Sequence, residues 1–292
     1  MEESSGIVTQ NQKQLLRRKI KLSTIIIWAV FILVVVICLR VGTQSQRINN
    51  EIILMAVADE LGKDSRNLTK ADYLNLKELD LSSSMITDIK LLKKFPNLQK
   101  LNLSKTPSEI TTIPPAWEIV LRRWGLKKKT ARKQLDLKPL EKLHNLETLI
   151  LREAAFKSLE PIANLKSMKE LDLQFTKISN FGPLQGLTNL ERLNLNFTGF
   201  LDTGLLVNLI NLQELEIRNT LVTKIEPLTG LTNLKTLNIC GTEIEDIEPV
   251  NSFKNLQLLN IISCNRIPYW QIEDLQKTFP NLKIINRYGM GY

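Results

Sequence analysis

The sequence predicts an α/β solenoid, a curved array of about nine repeats with a parallel β-sheet on its concave face. The prediction rests on one sequence motif that recurs every 22 residues. The motif is Leu-x-x-Leu-x-[Leu/Ile]-x-x-Thr, followed by isoleucines and by an asparagine before the next leucine. It opens at Met168, Leu190, Leu212, Leu234 and Leu256 without slippage, and earlier at Leu76, Leu98 and Leu146. A unit as short as this interval must stack on its neighbours to bury its apolar face.

Within each repeat, the first residues alternate between apolar and polar, which is typical of a short strand with one buried face. In the repeat that opens at position 212, Leu215 and Ile217 are expected to point inward. Glu214, Glu216 and Arg218 are expected to point outward. The tail of the repeat places isoleucine, proline and leucine at a spacing that suits a short 3₁₀ segment begun by proline. Strands on one side and tighter turns on the other predict a stack that curves with its strands on the concave face.

Two polar columns follow the repeat and are predicted to be structural ladders, because buried polar atoms need hydrogen-bond partners. The hydroxyl column is Ser84, Thr106, Thr176, Thr198, Thr220 and Thr242. The asparagine column is Asn97, Asn145, Asn189, Asn211, Asn233, Asn255 and Asn281. Cys264 takes the position of a threonine and is expected to be buried, whereas Cys240 is expected to face outward. Side chains that point apart do not meet disulfide geometry, so we expect free thiols.

These features resemble the leucine-rich repeat family, in particular the 22-residue class found in bacterial internalins and in a nuclear protein-phosphatase regulator. The match is carried by LQELEIRNTLVTKIEPLTGLTN at 212–233 and LKTLNICGTEIEDIEPVNSFKN at 234–255. The resemblance covers about residues 51–286, and it implies protein recognition by the concave face. The chain shows no C-terminal wall-sorting motif and starts with an apolar run, so the host-adhesion role of secreted internalins is not carried over.

The repeat domain, predicted at 76–292, is expected to have a helical cap at each end, because the terminal repeats of a solenoid need cover. Residues 40–75 are predicted to form a linker and the N-terminal cap, which resembles the cap of bacterial leucine-rich repeat proteins. Its helix is expected at 48–61 with an apolar face, and a capping box at Thr69 to Asp72 is expected to open a second helical turn. The residues of that face are Ile48, Ile52, Met55 and Leu61. A helix at Tyr269 to Lys277 and a last strand at Leu282 to Ile285 are predicted to close the C-terminal end.

The N-terminal region contains an apolar run at residues 22–39, LSTIIIWAVFILVVVICL, which carries no charged side chain. An uncharged run of this length is at the lower end of what spans a bilayer, and it predicts a transmembrane signal-anchor helix. Four basic residues at 17–21 precede it, so residues 1–21 are expected to be cytoplasmic and the repeats extracytoplasmic. A cleaved signal peptide and a buried core helix are the alternatives, but the end of the run lacks the small-residue exit of a cleavage site.

The net charge of +9 is local. Residues 1–21 hold five basic side chains against two acids, and residues 121–133 hold seven against none. The second group forms a basic patch of Arg122, Arg123, Lys127, Lys128, Lys129, Arg132 and Lys133. It lies between the repeat openings Leu98 and Leu146, and it is predicted to be a degenerate repeat with Trp124 in a leucine position. The alternative is a basic loop inserted into one repeat. Such a strip is suited to an acidic protein surface or to anionic lipid headgroups, or it is simply solvated.

Catalysis has no support in the sequence. The single histidine, His144, occupies a loop position without a nucleophile or metal partner at useful spacing. No phosphate-binding loop, Cys-x-x-Cys pair or His-Glu-x-x-His motif occurs. We therefore expect no enzyme activity, cofactor, metal ion or small-molecule substrate. Nucleic acid is not expected either, because the basic patch has no interleaved aromatic residues beyond Trp124.

The expected partner is a protein, bound on the concave face, because arginine and apolar anchors tend to carry interfaces. The predicted contact residues are Arg152, Arg192, Glu214, Glu216, Arg218, Leu258 and Ile262. One rival function is a cytosolic scaffold similar to the phosphatase regulator, in which residues 22–39 do not span a membrane. A second rival is an anionic-lipid or polyanion binder that acts through residues 121–133.

Overall fold

The computed structural model describes residues 46–84, 86–106 and 134–286. The chain divides into two compact units, residues 1–48 and 49–292, and the repeats lie in the second. The predicted membrane anchor at 22–39 and the basic patch at 121–133 lie outside the described residues. Within the described ranges, no helix is both long enough and apolar enough to cross a membrane.

Nine short parallel strands form one sheet in the described part of the chain, and they follow one another in sequence order. They are β1 (Glu78–Asp80), β2 (Lys100–Asn102), β3 (Thr148–Ile150), β4 (Glu170–Asp172), β5 (Arg192–Asn194), β6 (Glu214–Glu216), β7 (Thr236–Asn238), β8 (Leu258–Asn260) and β9 (Lys283–Ile285). Each strand pairs with the next in the same register, so that Leu193 of β5 lies beside Leu215 of β6. The predicted curved solenoid of about nine repeats with a parallel sheet is confirmed.

Short 3₁₀ segments run opposite the strands, as the proline positions predict. Within the described residues they are Lys90–Lys94, Lys138–Lys142, Glu160–Ile162, Gly182–Gly186, Thr203–Leu206, Glu226–Gly230 and Glu248–Ser252. Five of the seven carry proline at their first or second position, where the missing N–H removes no hydrogen bond. Because these turns are tighter than the strands, the stack curves with its strands on the concave face.

One apolar core runs through all the repeats. The repeat that opens at position 212 contributes seven side chains with no exposed surface: Leu212, Leu215, Ile217, Val222, Ile225, Leu228 and Leu231. The inward positions predicted from period-2 alternation are therefore the buried ones. Each repeat leaves its core open above and below, so burial is complete only when neighbouring repeats cover both sides.

The two polar ladders hold the stack together from inside and outside. Every hydroxyl of the column from Ser84 to Thr242 donates to the carbonyl three residues earlier in its own repeat, at 2.5 to 2.9 Å. The asparagines from Asn97 to Asn255 instead donate their Nδ2 to a carbonyl of the preceding repeat or, for Asn97, of the cap residue Leu74, at 2.8 to 3.2 Å. The predicted structural roles are confirmed for these residues: the hydroxyls bond within one repeat, and the asparagines join neighbouring units.

The N-terminal cap begins with helix α1, which covers described residues 46–61 and ends before Gly62, whose φ is +62°. The helix itself was predicted, and its buried face was predicted in part. Ile52 and Leu61 of the predicted face are partly buried against the core. Ile53 and Val57 are fully buried, whereas Ile48 and Met55 of the predicted face are 50% and 58% exposed. The predicted face is therefore confirmed for Ile52 and Leu61 and wrong for Ile48 and Met55.

A polar contact accounts for the orientation of α1. Asn49 is buried, and its Oδ1 accepts a hydrogen bond from the backbone N–H of Thr87 at 2.8 Å. Asn49, Ile53 and Val57 are spaced by four residues and therefore share one face of the helix. The face that packs on the first repeat thus contains an asparagine that a search for apolar spacing passes over.

Helix α2, Lys70–Asn75, completes this cap and starts at the predicted capping box. The backbone N–H of Thr69 donates to Asp72 Oδ2 at 2.7 Å, and the N–H of Asp72 donates to Thr69 Oγ1 at 3.4 Å. Lys63 Nζ lies 2.5 Å from the other carboxylate oxygen of Asp72. The hydrogen bond from Lys63, with those from Thr69, lowers the pKa of Asp72 to about 2.

The C-terminal cap consists of helix α3, Tyr269–Thr278, and strand β9, and both elements match the prediction. Gln271 joins α3 to the preceding repeats, and it is buried. Its Oε1 accepts from the backbone N–H of Ile247 at 2.9 Å, and its Nε2 donates to Asp246 Oδ1 at 2.9 Å. The helix therefore satisfies a backbone donor at the start of a 3₁₀ segment, as a cap must.

The long interval between the repeat openings Leu98 and Leu146 is spanned by a single step in the sheet. Strand β2 pairs directly with β3, Lys100 beside Thr148, so no strand from the intervening residues lies between them. The repeat closes normally after residue 134 with the 3₁₀ segment Lys138–Lys142. The predicted degenerate repeat at 121–133 lies outside the described residues, and the direct pairing of β2 with β3 favours the inserted-loop alternative.

Candidate functional site

The concave face displays three side chains per repeat: those of the first and third strand residues and that of the second residue after the strand. All seven predicted contact residues lie on this face, spread from β3 to β8. Arg192, Glu214 and Leu258 occupy the first column, and Glu216 occupies the middle one. Arg152, Arg218 and Ile262 occupy the third column, two residues beyond their strands.

The middle column is part of the scaffold. The side chains of Asp80, Asn102, Asp172, Asn194, Asn238 and Asn260 each accept a hydrogen bond from the N–H two residues further on, at 2.7 to 3.1 Å. Such a side chain fixes the turn by which the chain leaves the strand. The regular recurrence of this column is thus explained by turn formation.

A residue with left-handed backbone conformation stands at the third position after each strand from β1 to β8. Ser83, Lys105, Glu153, Phe175, Phe197, Asn219, Gly241 and Ser263 have φ between 49° and 68°. Sequence reasoning missed this column, because only Asn219 and Gly241 are residue types that favour the conformation. The signal was present in their alignment at the repeat spacing with the other six positions.

Glu216 replaces the asparagine of the middle column in β6, and a neighbour takes over the turn. Asn196 Oδ1 of the preceding repeat accepts from the N–H of Arg218 at 2.6 Å. Glu216 Oε2 in turn accepts from Asn196 Nδ2 at 3.0 Å and from Asn238 Nδ2 at 2.7 Å. Glu216 is therefore held in a polar network across three strands.

Two of the predicted arginines have acidic neighbours in an adjacent repeat. Arg192 Nη2 lies 3.0 Å from Glu170 Oε2, and this hydrogen bond raises the pKa of Arg192. Arg152 Nη2 lies 3.4 Å from Asp172 Oδ2. Both guanidinium groups are exposed, although Asp172 is largely buried, so each pair is expected to contribute little to stability and to leave the arginine accessible to a partner's carboxylate.

The character of the face changes toward the C-terminal end. Leu258 is half-buried on β8, and Ile262 is 36% exposed two residues after that strand. Polar or charged residues occupy the matching positions in β4, β5 and β6. The concave face is thus apolar at β8 and charged or polar at β4 to β6, and a partner with the complementary arrangement would bind it specifically.

Cys240 differs from its prediction. It was expected to face outward, but its side chain is buried, and burial raises the pKa of its thiol. The small side chain lies in the third column between the larger Arg218 and Ile262, which accounts for its low exposure. Cys264 is buried as predicted, with its Sγ 3.0 Å from the carbonyl oxygen of Ile239, and both thiols are free.

A pair of aromatic rings lies at the edge of the face, outside the predicted set. Phe175 and Phe197 stack with centroids 4.4 Å apart and planes 15° apart. The guanidinium carbon of Arg218 lies 5.4 Å from the centroid of Phe197, within cation–π range. Both rings stand at left-handed positions, which is why outward alternation within the strands did not find them.

A polar groove of about 710 Å³ lies at the opposite edge, along the asparagine ladder. Its side chains are bonded to their neighbours, since Lys169 Nζ lies 2.7 Å from Glu147 Oε2 and Lys235 Nζ donates to the neutral Gln213 Oε1 at 2.8 Å. The groove therefore offers little unsatisfied chemistry. Nowhere in the described ranges do three or more His, Cys, Asp or Glu side chains gather as a metal site requires.

Comparisons with known proteins agree with this architecture. The family model for Leucine Rich repeats (2 copies) matches residues 74–115, 210–249 and 232–277. No curated protein sequence matches the chain. Among solved structures, internalin C2 from Listeria monocytogenes is similar at 24% identity, over 72% of this chain and 92% of that one, with a TM-score of 0.55.

A leucine-rich repeat protein from Leptospira interrogans is also similar. It shares 21% identity over 74% of this chain and 62% of its own length, with a TM-score of 0.50. Identities this low show the fold alone. The resemblance seen in the sequence is therefore confirmed for the repeats and for the fold of internalin-like proteins.

Proposed function

We propose that this leucine-rich repeat protein recognises another protein through the concave face of its sheet and catalyses no reaction. The observation that carries the proposal is the continuous face of β1 to β9, on which each repeat presents three outward side chains in fixed columns. A rigid, curved array of this kind offers a large surface whose contacts are set before binding, which limits the entropy lost on association.

The contact residues contribute unequally under this proposal. Arg152 and Arg192 exchange one carboxylate for another on binding, so their net contribution is small. Glu214 is exposed, and Leu258 and Ile262 gain apolar burial. We therefore expect the third of the face from β6 to β8 to dominate affinity, with Glu216 acting mainly through the network that holds it.

Site-specific photo-cross-linking tests the proposed face. A photoreactive amino acid is placed at Glu214 or Leu258 on the concave side, and at the exposed positions Glu226 or Thr229 on the convex side as matched controls. After irradiation of cells that make the full-length protein, we expect an adduct of one defined mass from the concave positions alone. Adducts only from the convex positions, or equally from both, would contradict the proposal.

We further propose that residues 22–39 anchor the chain in a membrane, with residues 1–21 cytoplasmic, a linker and cap at 40–75, and the repeat domain at 76–292 outside the cytoplasm. The support is the sequence: an uncharged apolar run preceded by a basic cluster at 17–21. The basic patch at 121–133 remains a candidate for contact with anionic headgroups, because its seven cations have no acid among them.

Protease protection tests this arrangement. Intact cells or sealed spheroplasts are treated with protease, and the repeat domain is followed with an antibody. We expect digestion without permeabilisation, because an N-in anchor places the repeats outside. Digestion only after the cytoplasm is opened would refute the topology and favour the cytosolic scaffold.

A further inference from the structure

We propose that the edge of the sheet at β4 to β6 is a docking surface for a segment of a protein partner that combines apolar side chains with carboxylates. The surface, named here the edge ridge, consists of Phe175, Phe197, Leu201 and Leu221. The proposal rests on the proposed function and adds to it the place and the chemistry of one contact.

The edge ridge is unusually apolar for a solvent-facing surface. Phe175 is 46% exposed, and Leu201 and Leu221 are 61% and 62% exposed. Isolated exposed apolar residues are ordinary, but a contiguous group marks an interaction site. The stacked rings of Phe175 and Phe197 form its rigid centre.

Backbone hydrogen bonds show that these residues come together. The N–H of Phe175 donates to the carbonyl of Asn196 at 3.0 Å, beside Phe197. The N–H of Leu221 donates to the carbonyl of Phe200 at 2.8 Å, beside Leu201. Three consecutive repeats therefore carry two neighbouring pairs, Phe175 with Phe197 and Leu201 with Leu221, where the chain leaves the strands.

Gly199 lies between Phe197 and Leu201 in sequence and is exposed. A Cβ built on Gly199 meets no atom within 4 Å, so the space above this residue is open. A partner side chain can therefore approach the ridge at this point without a clash. Apolar anchors of this kind carry much of the energy of an interface.

Three cations flank the ridge. Arg218 stands over the ring of Phe197, and Lys177 and Lys224 are exposed on the loops beside Phe175 and Leu221. Among the described residues, none of these three side chains forms a salt bridge. Their charge is therefore available to carboxylates of a partner.

The nearest acids keep their own charge. Asp202, next to Leu201, accepts the N–H of Gly204 at 2.9 Å. Glu216 is held by Asn196 and Asn238 near Arg218. The more distant Glu243 and Glu245 are both paired with Arg266, each at 2.7 Å. Beside the ridge, the three cations therefore outnumber the two acids Asp202 and Glu216.

The backbone conformation does not favour phenylalanine at these two positions. Phe175 and Phe197 have φ of 59° and 57°, a conformation that is costly for a bulky side chain. The next two repeats use Asn219 and Gly241 in the same column, and these types adopt it readily. Exposed rings at strained positions point to selection for contact.

These observations favour one class of occupant. Cations beside exposed apolar side chains complement a peptide segment that carries Asp or Glu next to Leu, Ile or Phe. The chain's own basic patch at 121–133 has seven cations and no acid, so like charges oppose its docking there. Fixed rings under an arginine are also typical of protein hot spots.

Peptide display tests the proposal directly. A random dodecapeptide library on phage is panned against the full-length protein, and enriched peptides are synthesised for fluorescence anisotropy. We expect sequences that pair aliphatic or phenylalanine residues with Asp and Glu. Leu221→Ala should weaken their binding about tenfold, since it removes an apolar anchor.

The matched control is Ile210→Ala, which removes an equally exposed aliphatic side chain on the convex side and should leave binding unchanged. The pair Lys177→Glu and Lys224→Glu should abolish binding of acidic peptides, and circular dichroism verifies folding of every variant. No enrichment, enrichment of basic peptides, or equal loss in Ile210→Ala would overturn the proposal. Binding to phosphatidylserine vesicles that Leu221→Ala removes, without peptide binding, would also overturn it in favour of a membrane contact.

The outcome is separable from that of the proposed function. If a partner adduct forms at Glu214 while peptide binding is unchanged by Leu221→Ala, concave recognition is supported and the edge-ridge proposal is refuted. If peptide binding requires Leu221 while no adduct forms at Glu214 or Leu258, the edge-ridge proposal is supported and recognition by the concave face is refuted.

Discussion

At the scale of the residue, the left-handed column decides which side chains each turn tolerates. Gly241 has φ of +68°, and a Cβ added to it would lie 2.2 Å from Asn219 Oδ1 of the preceding repeat. Two separate costs therefore meet at this position, a backbone cost and a steric one. Other repeats carry larger residues in the column, so the steric cost depends on the neighbour.

We expect Gly241→Ala to lower the free energy of unfolding by about 1 to 2 kcal/mol in urea titrations. The control is Gly199→Ala, where the added methyl group meets no atom and the change should stay within about 0.5 kcal/mol. Gly241→Ala should cost less in an Asn219→Ala background than in the wild type, because the contact with Asn219 Oδ1 is then absent. Equal effects at the two glycines would show that the contact with Asn219 is unimportant.

Asp72 gives a prediction for pH. Its pKa is about 2 in the folded protein against an ordinary value of 3.8, because Lys63 and Thr69 bond its charged form. A lowered pKa stabilises the fold above the ordinary value, and this contribution is lost as pH falls through the folded value. The stability difference between the wild type and Asp72→Asn should therefore shrink from pH 4 to pH 2. A difference that is constant over this range would exclude the carboxylate as its source.

At the scale of the element, the two caps close the ends of the core by buried amides. Asn49 of α1 and Gln271 of α3 each accept a backbone N–H of the neighbouring repeat, those of Thr87 and Ile247. Both ends thus combine apolar cover with one satisfied donor. Removing such an acceptor leaves a buried N–H without a partner, which costs more than the bond itself contributes.

We expect Gln271→Ala to destabilise the protein by about 1 to 3 kcal/mol and to speed amide exchange in the segment Glu248–Ser252. Gln276→Ala is the control, because that side chain makes only long bonds of 3.4 and 3.5 Å on the same helix. Hydrogen exchange read by mass spectrometry measures both. Faster exchange spread evenly over all repeats would indicate global unfolding and not a local cap.

The elements also show what sequence can predict here. Strands, 3₁₀ segments and both caps followed from periodicity and turn chemistry, since these are local properties. The face of α1 followed only in part, because the bond from Thr87 to Asn49 joins the helix to a residue outside it and fixes part of that face. The Phe175 and Phe197 pair was missed for a related reason. The left-handed backbone at these positions is set by the repeat geometry and not by a preference of phenylalanine.

At the scale of the whole molecule, the register of the sheet separates scaffold from insertion. The interval from Leu98 to Leu146 is longer than two repeats, so it holds one repeat and an insertion that is itself longer than a repeat. Because β2 pairs directly with β3, the inserted segment contributes no strand to the sheet between them. The solenoid is therefore complete without it.

Deleting residues 107–132 should restore the regular period and leave the solenoid folded. We expect an unchanged circular dichroism spectrum and a melting temperature within a few degrees of the parent. If residues 121–127 supplied a strand, the deletion would instead expose the core between two repeats. A loss of cooperative melting would then follow and contradict the register.

Recognition by the concave face is the central claim, and hydroxyl-radical footprinting tests it most directly. The full-length protein is oxidised alone and with the partner captured by cross-linking, and each residue is read by mass spectrometry. We predict that oxidation of Leu258 and Ile262 falls in the complex, whereas the convex residues Val207 and Ile210 are oxidised as before. Protection of Val207 and Ile210 with Leu258 and Ile262 unchanged would contradict the account.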